Sequence, residues 1–226
     1  MKTQVLDKSA LLDLAIVLFV LVSIKQLMIP ITVVYAGPIS TFSAMIVATF
    51  LLKRRDANWK NLGLKMPVSW PKTLGLTLFT LIAFFGTVAI FNTVADHFFE
   101  DIGTSGRFDH IEGNPVAYLI IMLLVWTHGS TFEELLFRAF VITKTSLFLG
   151  GNRLTDVVAV MLAAIFFGYR HYYYQGLNGA VVTGGIGLTF GFFYIWFGRK
   201  NILPLILAHG LINSFVQTMR FLGYEV

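Results

Sequence analysis

The chain has 226 residues, of which 56% are hydrophobic and 13% charged, with a mean hydropathy of +0.75 and a formal net charge of +5. These values exclude an ordinary water-soluble domain and leave a polytopic membrane protein, with room for six to eight spans at roughly 20 apolar residues each. Cysteine is absent, which excludes disulfides, thiolate nucleophiles and zinc–thiolate sites.

Apolar segments fall at about 11–35, 38–52, 73–95, 115–149, 157–174, 180–197 and 201–219. They predict an all-α fold, a bundle of about seven to eight transmembrane helices forming one membrane-embedded domain over 1–226. The first segment follows Lys2 and Lys8, as a signal peptide would, but no small-residue cleavage site comes after it, so it reads as a membrane helix. Between the second and third segments lie Lys53, Arg54, Arg55, Lys60, Lys65 and Lys72 against only Asp56, which predicts a cytoplasmic connection and a cytoplasmic N-terminus in a multi-pass cell-membrane protein. The next connection, 96–114, carries Asp96, Glu100, Asp101, Asp109 and Glu112 against Arg107 and is expected outside. The positive charge therefore reads as topology, with anionic lipid head groups as a secondary partner and no nucleic acid. Oligomeric state is left open.

The segment 115–149 is too long for one perpendicular span, since about 35 residues rise roughly 52 Å against a hydrocarbon core near 30 Å. It must project, tilt or break, with Gly129 and Ser130 as candidate break points. On the sixth segment, Gly187 and Gly191 form a Gly-x-x-x-Gly pair that allows close helix approach, expected to be internal packing. Tyr172, Tyr173 and Tyr174 read as an interfacial belt, and Arg170 as reaching the interface.

Ionisable residues inside apolar segments are expensive and usually functional. In Glu133-Glu134-Leu135-Leu136-Phe137-Arg138, residues four apart share a helical face, so Glu134 can pair with Arg138 while Glu133 points elsewhere. An unpaired glutamate in a poorly solvated cavity can serve as a general base; the plain alternative is that both glutamates close interhelical salt bridges. His209 and Asn213 also share a face, and both can donate hydrogen bonds to an oxyanion, although a lone histidine there also reads as a packed, hydrogen-bonded side chain. His171 ends another apolar run.

These motifs resemble the CPBP family, the CAAX prenyl endopeptidase and bacteriocin-processing (Abi) proteins, which are glutamic intramembrane proteases. The family's Glu-Glu-x-x-x-Arg looks like Glu133, Glu134 and Arg138; its Phe-x-x-x-His looks like Phe167 to His171; its His-x-x-x-Asn looks like His209 to Asn213. Order and spacing agree over roughly 115–218, the expected catalytic core. The resemblance implies hydrolysis of a peptide or membrane-associated protein without a covalent intermediate. Glu133 and His171 would activate water, His209 and Asn213 would cradle the oxyanion, Glu134 and Arg138 would order the site, and no cofactor would be needed. It also implies, from the family's prenyl endopeptidases, a cavity open to the cytoplasm. The chain departs from the family in carrying Tyr169 and Arg170 before the histidine, where small apolar residues are common.

Three other readings fit parts of this pattern. His171, His209 and a glutamate could bind zinc, although no His-Glu-x-x-His helix is present. A non-catalytic scaffold or bacteriocin immunity protein would use the same helices without turnover. A transporter could use the intramembrane charges as an ion path, although no inverted repeat is evident.

Overall fold

The computed structural model describes residues 7–104 and 106–224. Lys2, one of the two basic residues ahead of the first apolar run, lies outside them. The described residues form helices and no strand. Among the described residues, five helices are long and apolar enough to cross a membrane: α1 (Lys8–Met28), α2 (Ala36–Arg54), α3 (Trp70–Phe98), α4 (Pro115–Phe148) and the stretch Arg153–Trp196. The expected count of seven to eight is not reached on that criterion, for two physical reasons.

The stretch Arg153–Trp196 is broken at Gly176, whose backbone (φ 64°, ψ −165°) is not helical. Only glycine adopts such a conformation without strain. The two halves, 153–175 (α5) and 177–196 (α6), fold back on each other. A Cβ on Gly187 would come 3.2 Å from Ala164 Cα, one on Gly191 2.8 Å from Val160 Cγ1, and one on Gly168 2.3 Å from Ala180 O and 3.1 Å from Gly184 Cα. Pairing of 160 with 191, 164 with 187 and 168 with 184 is antiparallel, so the Gly-x-x-x-Gly pair packs internally, as expected. The second reason is α7 (Leu203–Phe221), which is 19 residues long but not apolar enough to qualify, because it carries His209, Asn213, Ser214 and Gln217.

Local signals start and stop these helices. Asp7 caps α1, accepting from the backbone N–H groups of Ser9 and Ala10. Asn114 caps α4 just ahead of Pro115, which suits a first helical turn. Asn152 and Thr155 form a reciprocal capping box at α5. The long fourth segment does not break at Gly129 or Ser130. It stays helical but winds as a π-helix over Val125–Phe132 and Glu134–Ile142. Such stretches are rare and concentrate at functional sites.

The apolar core lies around α4, where Leu136, Phe137, Phe140 and Ile142 pack against Leu21 of α1, Ala48 of α2, Val160 and Phe167 of α5, Phe190 of α6 and Leu205 of α7. Many large apolar side chains, including Phe19, Leu78, Phe85 and Ile165, remain exposed on the outer surface. In water this would be an aggregation hazard; around a bundle of apolar helices it is the lipid-facing surface.

Candidate active site

Helices α1, α2, α4, α5, α6 and α7 surround a cavity of about 280 Å³, and Glu133, His171, His209 and Asn213 all line it. Three separate apolar segments thus bring their polar residues to one place. Glu133 is 5% exposed and projects from the π-wound part of α4. Its Oε1 lies 3.4 Å from Nε2 of His128, an electrostatic contact outside hydrogen-bond geometry. His128 is absent from the sequence-level site because an α-helical period places it well off the Glu133 face. A π-helix bonds i to i+5, and residues 128 and 133 are five apart.

His171 has Nδ1 2.8 Å from the Phe167 carbonyl oxygen. A carbonyl only accepts, so Nδ1 carries the proton and, in the neutral ring, Nε2 keeps its lone pair. Phe167 does more than hold a helical position. Its ring lies 4.7 Å from the His171 ring, and the Arg138 guanidinium stands 4.3 Å above it.

Glu134 and Arg138 are fully buried behind the cavity. Glu134 bridges two partners: Oε1 lies 2.8 Å from His209 Nδ1, and Oε2 lies 3.2 Å from Arg138 Nε. The pairing of Glu134 with Arg138 follows the expected i, i+4 arrangement. Its link to His209, contributed by α7, is visible only in three dimensions. Asn213 donates from Nδ2 to the Gly129 carbonyl at 3.4 Å. A Cβ on Gly129 would come 3.3 Å from that same Nδ2, so the glycine leaves space for the amide. Gly129 therefore acts here as a close-approach site instead of a break.

Two expectations are corrected. Arg170 does not reach the interface: it is buried, and its guanidinium donates to the Leu21 carbonyl (3.3 Å), Ser40 Oγ (3.1 Å) and Thr41 Oγ1 (3.2 Å). Helices α1 and α2 supply these acceptors, so the charge is solvated by the protein. The tyrosine run is also divided. Tyr172 is exposed, but Tyr173 and Tyr174 turn inward to line the cavity. Lys25, an isolated charge within the first apolar segment, joins them; its Nζ lies 3.8 Å over the Tyr173 ring and donates to the Arg170 carbonyl. Among the described residues, no three His, Asp or Glu side chains are grouped so as to hold a metal ion.

Residues 115–215 match the family model described as type II CAAX prenyl endopeptidase Rce1-like, a span just under half of the chain. No curated protein and no solved structure matches. The matched span contains α4, α5, α6 and most of α7, hence every residue of the three motifs. The resemblance drawn from those motifs and the family match agree: residues 115–215, the cavity-building part of this membrane protein, are similar to the Rce1-like type II CAAX prenyl endopeptidases.

Proposed function

We propose that the protein is a glutamic-type intramembrane endopeptidase that cleaves a peptide or a membrane-associated protein inside this cavity. The observation that carries the reading is the convergence of Glu133, His171, His209 and Asn213 on one cavity of about 280 Å³. A water held between the Glu133 carboxylate and His171 Nε2 gives up a proton as its oxygen attacks the scissile carbonyl. The carbonyl becomes an oxyanion, which accepts hydrogen bonds from Asn213 Nδ2 and His209 Nε2. His209 already directs Nδ1 at Glu134, so donation from Nε2 as well requires the imidazolium. The buried Glu134 carboxylate is placed to accompany that cation, and Arg138 holds Glu134 in turn. Collapse of the tetrahedral intermediate breaks the C–N bond, and the proton taken from water passes to the leaving amine. Glu134 and Arg138 are positioning residues in this scheme.

The same reading takes the chain as one membrane domain with seven crossings, α1 to α7, and a cytoplasmic N-terminus. The Gly176 reversal supports counting α5 and α6 separately. The substrate is a peptide or protein, and the mechanism uses neither a metal nor an organic cofactor.

The test compares newly generated peptide termini in cells expressing wild-type protein, Glu133→Ala or His209→Ala at matched levels. Termini present with wild type and lost in both variants, with cleavage resistant to chelation, are the expected result. Identical profiles with a persistent cellular phenotype would favour a scaffold or immunity role, and chelator-sensitive cleavage restored by zinc would favour the metal mechanism.

A further inference from the structure

Glu133 and Glu134 are adjacent, yet the fold holds them differently. Glu134 has a partner on each oxygen, His209 Nδ1 at 2.8 Å and Arg138 Nε at 3.2 Å. Among the described residues Glu133 accepts no hydrogen bond, and the basic group within ion-pair range of it is Nε2 of His128, 3.4 Å from Oε1. That nitrogen is buried and has no hydrogen-bond partner. A buried polar atom left unpaired costs about 1–3 kcal/mol, so its retention beside the candidate base calls for a physical reason.

The backbone brings the two groups together. Residues 125–132 and 134–142 wind as π-helix on either side of Glu133, so the side chain facing it from the preceding turn is the fifth before it, His128. Both side chains line the cavity, as does His171 from α5. Opposite an ionised carboxylate oxygen a nitrogen lone pair repels, so the favoured neutral tautomer carries its proton on Nε2 and its lone pair on Nδ1. Catalytic hydrogen bonds are often long in the free enzyme and tighten around substrate, and a separation of 3.4 Å is close enough to do so.

We propose that His128 is a positioning residue for the base: its Nε2–H donates to Glu133 Oε1 and so turns Oε2 toward the water shared with His171. Oε2 takes the proton that the water loses and passes it to the leaving amine, while His128 keeps its own proton throughout. Once protonated on Oε2, the carboxyl group still offers Oε1 as an acceptor, so the hydrogen bond persists through the cycle. Each of the two glutamates is then oriented by one imidazole, Glu133 from within α4 and Glu134 from α7. What Glu133 does once oriented rests on the peptidase reading; the hydrogen bond does not.

The test has two arms. The full chain, labelled with nitrogen-15 in its five histidines and held in detergent, is followed by NMR, and the imidazole signals missing from His128→Gln are those of His128. Expected are a protonated Nε2, a bare Nδ1, and an Nε2 signal that moves in Glu133→Ala. A bare Nε2, or an Nε2 signal indifferent to Glu133→Ala, overturns the proposal. The second arm counts wild-type-dependent peptide termini in cells expressing each variant at matched levels. His128→Leu should lower their formation by roughly 10²-fold, the scale of a misplaced catalytic group. His128→Gln places an amide N–H donor near the position of Nε2 and should recover most of that loss, ending within several-fold of wild type. Adding His128→Leu to Glu133→Gln should cost little more, because the carboxylate that it orients has already gone; a packing role would cost the same in both backgrounds. A glutamine variant no better than leucine, no loss in His128→Leu, or full additivity with Glu133→Gln overturns the proposal. Termini that survive Glu133→Ala sink the peptidase reading alone, since the first arm decides the hydrogen bond without it.

Discussion

The two ends of the bundle hold similar charges in opposite ways. At the basic end, Asp13 is 1% exposed and accepts from Arg55 at 3.1 Å and Lys144 at 2.7 Å, while Asp156 binds Arg199, so cations close onto carboxylates and tie α1 to α2 and α4, and α5 to the α6–α7 connection. At the cavity end, Lys25, Arg107 and Arg170 are held by neutral acceptors and aromatic faces. Paired charge within a scaffold gives little reason to look for a ligand. Unpaired charge around a cavity is retained at a cost and reads as function.

The largest effect expected is at the cavity. Glu133→Gln keeps the shape but removes the base, and should lower cleavage by roughly 10²–10⁴-fold with little change in thermal stability in detergent. A matching loss of stability would make Glu133 a structural residue like Asp13.

Behind the cavity, Glu134→Gln leaves Arg138 as an uncompensated buried cation and should cost roughly 3–5 kcal/mol. Adding Arg138→Met should recover much of that stability without recovering activity, because His209 has still lost its carboxylate. Thermal unfolding of the single and double variants, beside cleavage assays, separates the two contributions.

Gly168→Ala forces a methyl toward Ala180 O, a backbone atom that cannot rotate away. It should destabilise the α5–α6 hairpin by about 1–3 kcal/mol and lower activity through His171, one turn further along; unchanged melting would refute the tight pairing of 168 with 184. The smallest effect belongs to the basic end. Arg199 and Asp156 are partly exposed at 27% and 22%, so Arg199→Ala should change stability by no more than about 1 kcal/mol and leave cleavage unaltered. A large loss of activity there would collapse the distinction between the two ends.

Much of this protein is written along the chain. Apolar runs specify helices because a bilayer leaves the backbone few ways to satisfy its own hydrogen bonds. The Glu133–Glu134–Arg138, Phe167–His171 and His209–Asn213 spacings identify the candidate site because four residues make about one helical turn. Local periodicity could not reveal the π-winding that turns His128 toward Glu133, since a π-helix changes the very period on which the reading depends. It could not reveal that Arg170 and Lys25 face inward, because their acceptors come from α1 and α2 and from the Arg170 backbone, far away in sequence. Nor could it join Glu134 to His209. Sequence determined which residues would be polar within apolar helices; tertiary packing alone decided which of those charges found partners, because pairing depends on contacts between helices that are distant along the chain.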